Sequence, residues 1–159
     1  MNLLKLAAVF VAAMAAQWWW STHLSIAGVA PQLLLVLTVA TAARYGPLWA
    51  MSCGFFWGLF LDILGARLFG ANALALTLVG FTTGSVRRQI DVAGLGPQCL
   101  LSFSMTWAYF ILIGLLGTVF AKTFLWVGWP VFIFDPIYNC LMTVVVFAAW
   151  APPRWDHHR

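Results

Sequence analysis

The stretch from Gly54 to Gly84, GFFWGLFLDILGARLFGANALALTLVGFTTG, sets an aspartate inside an otherwise apolar run. Gly54, Gly58 and Asp62 fall at i, i+4 and i+8 and therefore share one face of a helix. Paired small residues let a neighbouring helix approach closely, as helices do within membranes. A carboxylate on that face is costly in hydrocarbon and must turn into protein or water. A turn with Arg67, Gly70 and Asn72 follows, and a second apolar helix carries Gly80 and Gly84 at the same spacing. The rest of the chain has to receive that face.

Composition says which solvent the chain meets. Of 159 residues, 64% are hydrophobic and only 8% charged, and glutamate is absent. A soluble domain carries about 25% charged residues, so the expectation is an all-α integral membrane protein. The net charge of +4 is spread between apolar runs, not clustered on a face, which argues against nucleic acid as a partner. Cys53, Cys99 and Cys140 have no paired spacing and suggest neither a metal site nor a disulfide framework.

Six apolar segments are expected to form transmembrane helices in a single domain: about 3–20, 29–43, 47–64, 70–86, 98–121 and 130–150. Each approaches the roughly 20 residues needed to span a bilayer, the second and fourth being short. In the first, Ala8, Ala12 and Ala16 form a small-residue stripe suited to packing, and Trp18, Trp19 and Trp20 suit an interfacial anchor. The same segment has a small-residue site at 13–15, at which a secretory signal peptide could be cleaved. With the N-terminus inside, Lys5, Arg44, Arg87, Arg88, Arg154 and Arg159 face the cytoplasm, and only Arg67 and Lys122 face out. That bias predicts both termini inside. Arg44, Arg87 and Arg88 read as topology determinants, with docking of a cytoplasmic partner as the other reading.

The helical rise places Asp62 roughly 22 Å from the inner face of a core about 30 Å thick. Asp135, five residues after Pro130, lies roughly 7–8 Å from the outer face. The two aspartates then share one level, with Asn139 a turn below Asp135. The expectation is one polar cluster in the outer half of the membrane, formed by Asp62, Arg67, Asn72, Asp135 and Asn139, the aspartates paired to Arg67 or Lys122 or hydrated in a cavity. A purely structural role, with an aspartate capping or stapling helices, stands beside a ligand-binding one. Pro136 is expected to bend or loosen the last helix. No motif for a catalytic nucleophile, a metal or a phosphate is present, so no catalytic, cofactor or metal-binding residues are assigned and an enzyme is disfavoured.

From Pro31 to Asn139 the chain resembles the MreD family of rod shape-determining proteins. The resemblance rests on Pro31, Leu33, Leu34 and Leu35 opening the second helix and Arg44-Tyr45-Gly46 closing it. It continues through Gly54, Gly58, Leu59 and Asp62, then Gly70, Ala73 and Ala75, Gly80 and Gly84, and finally Pro136 and Asn139. The family usually carries an aspartate where this chain has Gln32. The resemblance implies a non-enzymatic scaffold subunit of the bacterial cell-elongation complex for peptidoglycan synthesis, in the inner membrane. It implies MreC as partner, with RodA, its transpeptidase and MreB in a larger assembly. It also implies a fold like the substrate-binding S-components of energy-coupling-factor transporters. A vitamin or small-solute S-component is therefore the alternative reading. In the scaffold reading, Gly54/Gly58 or Gly80/Gly84 would grip a partner's transmembrane helix.

Overall fold

A computed structural model describes residues 3–23, 32–65, 68–87, 95–122, 124 and 127–149. The chain is all-helical there: α1 (Leu3–His23), α2 (Leu33–Tyr45), α3 (Pro47–Leu64), α4 (Ala71–Val86), α5 (Leu95–Ala121) and α6 (Trp129–Ala149). Three helices contain stretches long and apolar enough to cross a membrane: Pro47–Leu64, Gly96–Ala121 and Trp129–Ala148. Leu33–Tyr45 and Ala71–Val86 are apolar but shorter.

The short helix α2 is the axis of the bundle and touches all five others. At about 1.5 Å per residue its 13 residues extend only ~20 Å. Leu34, Leu35, Val36, Thr38, Val39, Ala40, Thr41 and Ala42 are all buried. A helix apolar on every side belongs inside the protein. Thr38 and Thr41 satisfy their hydroxyls by donating to the carbonyls of Leu34 and Leu37, at 2.7 and 2.6 Å.

Helices α3 and α4 form the tightest pair, an antiparallel hairpin. Pro47 opens α3 in the first-turn position, where its missing N–H is not needed. Gly70, at φ +90°, turns the chain into α4. The glycine stripes of the two helices face each other. A Cβ on Gly54 would lie 2.6 Å from the Leu76 carbonyl oxygen, and one on Gly80 2.8 Å from the Ala50 carbonyl. At Gly58 it would strike the backbone of Asn72 and Ala73, and at Gly84 that of Pro47. Both glycine pairs are thus consumed within the chain, and a partner's helix must be gripped elsewhere.

Helix α1 lies against α2 and α3 through Phe10, Ala13, Met14 and Gln17, a face spaced i, i+3, i+4, i+7. Phe10 stacks on the buried Trp57 ring at 5.4 Å between centroids. The alanine stripe expected to make this contact is turned away: Ala12 is exposed and Ala16 half-buried. The Ala8 side chain lies outside the described residues. Phe10 and Met14 offer more apolar area to bury than a methyl stripe does, and this selects the face. Helix α6 carries Pro136 in its interior, buried, without ending there.

Gly58→Ala and Gly84→Ala should each destabilise the protein by about 1–3 kcal/mol or more, because backbone cannot move aside as a side chain can. Gly96→Ala, where a Cβ meets nothing within 4 Å, should leave stability unchanged or slightly raised. Thermal midpoints in one detergent decide this, and a wild-type midpoint for Gly58→Ala would refute the close hairpin.

Candidate functional site

The polar residues gather where α2, α4 and α6 begin. Helix N-termini leave backbone N–H groups without intrahelical partners, and inside an apolar body the protein itself must supply acceptors. Two of these ends are capped by other helices. At α4 the Asp62 carboxylate accepts from the backbone N–H groups of Asn72 and Ala73, each at 3.0 Å, and from the Asn72 side-chain amide at 2.9 Å. Gly70, the capping residue by position, has no side chain for the task. The carboxylate thus meets the positive end of the α4 dipole with three donors, which offsets the cost of burying it.

At α2, Asn139 of α6 accepts from the Gln32 backbone N–H at 2.9 Å. Gln17 of α1 accepts from the Leu34 N–H at 3.3 Å. Three helices therefore converge on one helix start.

A polar seam runs between α5 and α6. On α5, Gln98, Ser102, Thr106 and Tyr109 repeat at helical spacing, and on α6 Asp135, Asn139 and Thr143 do the same. All seven are buried. Asn139 donates to Thr106 Oγ1 at 3.0 Å, and the Thr143 hydroxyl lies 2.6 Å from Ser102 Oγ. Antiparallel continuation of these pairs brings Asp135 level with Tyr109 and Phe110. The Tyr109 hydroxyl, however, donates to Asn72 Oδ1. Asp135 has no exposed surface, and neither carboxylate oxygen has a hydrogen-bond partner among the described residues. The Gln32 side chain faces it without a hydrogen bond of ordinary geometry.

Between the two capped helix ends lies a cavity of about 200 Å³. Gln17, Gln32, Asn72 and Tyr109 supply its polar lining, and Leu34, Leu35, Leu61 and Leu76 its apolar wall. Tyr109 links the two polar groups, since its hydroxyl bonds Asn72 beside Asp62 and it follows Thr106, the Asn139 partner, by one turn of α5.

The expected cluster is therefore two groups near this cavity: Asp62 hydrogen-bonded to Asn72 on one side, and on the other Asn139, bonded to Gln32 and Thr106, with the unpartnered Asp135 one turn away. The pairing to basic residues expected for the aspartates is replaced at Asp62 by backbone donors, which are fixed in place and carry no desolvation cost of their own charge. Lys122 is exposed and forms no ion pair with either aspartate. Arg67 and Arg88 lie outside the described residues. At the opposite end, Arg87 donates to the Ala42 carbonyl at 3.2 Å and so closes α2, and Arg44 lies over the Tyr45 ring at 5.7 Å. Among the described residues no group of three His, Cys, Asp or Glu could hold a metal ion. Sequence reading missed Tyr109, Gln17 and the α5 side of the seam. The four-residue recurrence of Gln98, Ser102 and Thr106, with Tyr109 three further on, was the available signal.

Asp62→Ala removes the acceptor for three donors, and each buried N–H left unpaired costs about 1–3 kcal/mol. Folded yield should collapse, while Asp62→Asn, which keeps one acceptor oxygen, should retain an intermediate yield. Size-exclusion profiles of the purified variants measure this, and equal yields for wild type and Asp62→Ala would exclude the capping role.

Comparison with protein-family models, curated proteins and solved structures finds no match to this chain.

Proposed function

We propose that this protein is a non-enzymatic scaffold of the bacterial cell-elongation machinery, similar to MreD, which binds a partner's transmembrane segment and positions the peptidoglycan-synthesis complex. The six helices then form one bundle within the inner membrane, the short α2 at its centre, with both termini cytoplasmic, in an arrangement like the S-components of energy-coupling-factor transporters. MreC is the direct partner, with RodA, its transpeptidase and MreB in the larger complex.

One observation supports this reading above the others. The residues that carry the family resemblance are those on which the body of the protein depends. Gly54, Gly58, Gly80 and Gly84 seal the hairpin, Asp62 caps α4, and Asn139 caps α2. Their order along the chain is thus a pattern of mutual contacts, not a coincidence of composition. The outward faces are apolar and broad, with Leu48, Ile63, Leu100, Leu141 and Val145 all exposed, as a subunit held by lipid and by partner helices requires.

Gentle detergent purification of the tagged chain from its native cells, followed by mass spectrometry, should recover MreC together with RodA or the transpeptidase. Recovery of nucleotide-binding subunits and a coupling membrane protein in their place would overturn the scaffold reading in favour of a transport subunit.

A further inference from the structure

We infer that the cavity between the N-terminal ends of α2 and α4 binds a small organic cation bearing an ammonium group, held by its polar and aromatic lining and by the neighbouring Asp135 carboxylate. The inference rests on the cavity and the unpartnered Asp135 carboxylate beside it and not on the scaffold reading, so either can fail alone.

The first support is the unmet carboxylate. A buried carboxylate is stable only when paired or fully hydrogen-bonded. Asp62 meets that condition through α4. Asp135, fully buried, does not, because its level neighbour Tyr109 has committed its hydroxyl to Asn72. Asp135 lies one turn from Asn139, which accepts from the Gln32 N–H, and level with Tyr109, and Gln32 and Tyr109 both line the cavity. The carboxylate is thus a neighbour of the cavity lining, not part of it.

The second is the sign of the field. No basic side chain among the described residues pairs with Asp62 or Asp135. The positive end of the α4 dipole is met by Asp62 itself. The Asp135 carboxylate has no such donor among the described residues, and an ammonium group beside it would supply one in a low-dielectric surround.

The third is size and lining. An apolar cavity of ~150 Å³ admits benzene, so about 200 Å³ accommodates a compact molecule such as choline. Four leucines match a hydrocarbon or methylated portion. Gln17, Gln32 and Asn72, which carry amide groups, and the aromatic Tyr109 are a lining that suits an ammonium head. A phosphate or carboxylate ligand would lie beside the Asp135 carboxylate with no basic group in the described lining.

The test uses the full chain purified in detergent and two pairs of probes of matched shape: choline with its neutral isostere 3,3-dimethylbutan-1-ol, and butylamine with butan-1-ol. Thermal unfolding is followed as each is titrated into the millimolar range. Either cation should raise the midpoint with the logarithmic concentration dependence of a one-site ligand, reaching about an elevenfold shift in the folded-to-unfolded ratio at roughly ten times its Kd, and its neutral isostere should not. Asp135→Asn should abolish the difference between cation and isostere. Leu61→Trp, which fills the cavity without altering a charge, should abolish the response to the cation even if Asp135→Asn fails to fold. Equal shifts with the neutral isosteres, an unchanged preference in Asp135→Asn, a retained response in Leu61→Trp, or no shift with either cation would each overturn the inference.

Discussion

The protein depends on the meeting of Asp62 with the start of α4. A helix that begins inside an apolar body exposes backbone N–H groups that neither water nor lipid can satisfy there. The turn before α4 offers only Gly70, whose left-handed backbone reverses the chain but which has no side chain to cap with. The acceptor comes from the previous helix. Because α3 and α4 are antiparallel and in backbone contact, the last turn of α3 lies beside the first turn of α4, and the carboxylate reaches two consecutive N–H groups. The glycines make that contact possible. A methyl at Gly58 would push apart the segment of α4 that Asp62 caps. Close packing and capping are therefore one device: neither works without the other.

The same solution recurs at α2. Its start is satisfied from two sides, by Asn139 of α6 and Gln17 of α1. This central helix is too short to reach both faces of a bilayer about 30 Å thick, and it need not, because other helices surround it. Shortness leaves room above its N-terminus, and that room is the cavity. The site thus follows from a structural economy. A short buried helix needs caps from its neighbours, and one of them, Gln17, also lines the space it does not fill.

Asp135 departs from this pattern. Along the α5–α6 seam Ser102 meets Thr143 and Thr106 meets Asn139, but the Tyr109 hydroxyl turns to the α4 end and leaves the aspartate unmet. Natural cores rarely tolerate such a group, and those that persist cluster where a ligand or a switch completes them. Both the scaffold role and the ligand pocket fit a body whose buried aspartates lie at one end and whose outer surface is largely apolar.

Much of this was legible in the sequence. Apolar runs of the right length, broken by Gly46-Pro47, Gly70 and Gly128-Trp129-Pro130, dictate helices because lipid leaves the backbone no other spanning choice. The spacing of Gly54, Gly58 and Asp62 fixes one face of α3. Charge scarcity dictates the membrane. What the sequence could not state was which surfaces the faces would meet. The glycines were equally consistent with a partner's helix, and only the tertiary structure placed them against each other. The alanine stripe of α1 was as periodic as Phe10, Ala13, Met14 and Gln17, and the bundle chose the face with more area to bury. Depth along a helix put Asp62 and Asp135 at one level, but level does not give direction. Backbone donors at α4 took one carboxylate, and the turn of a single tyrosine hydroxyl left the other open. Local periodicity is written in the chain, whereas the partner of each face is settled by the simultaneous packing of all six helices.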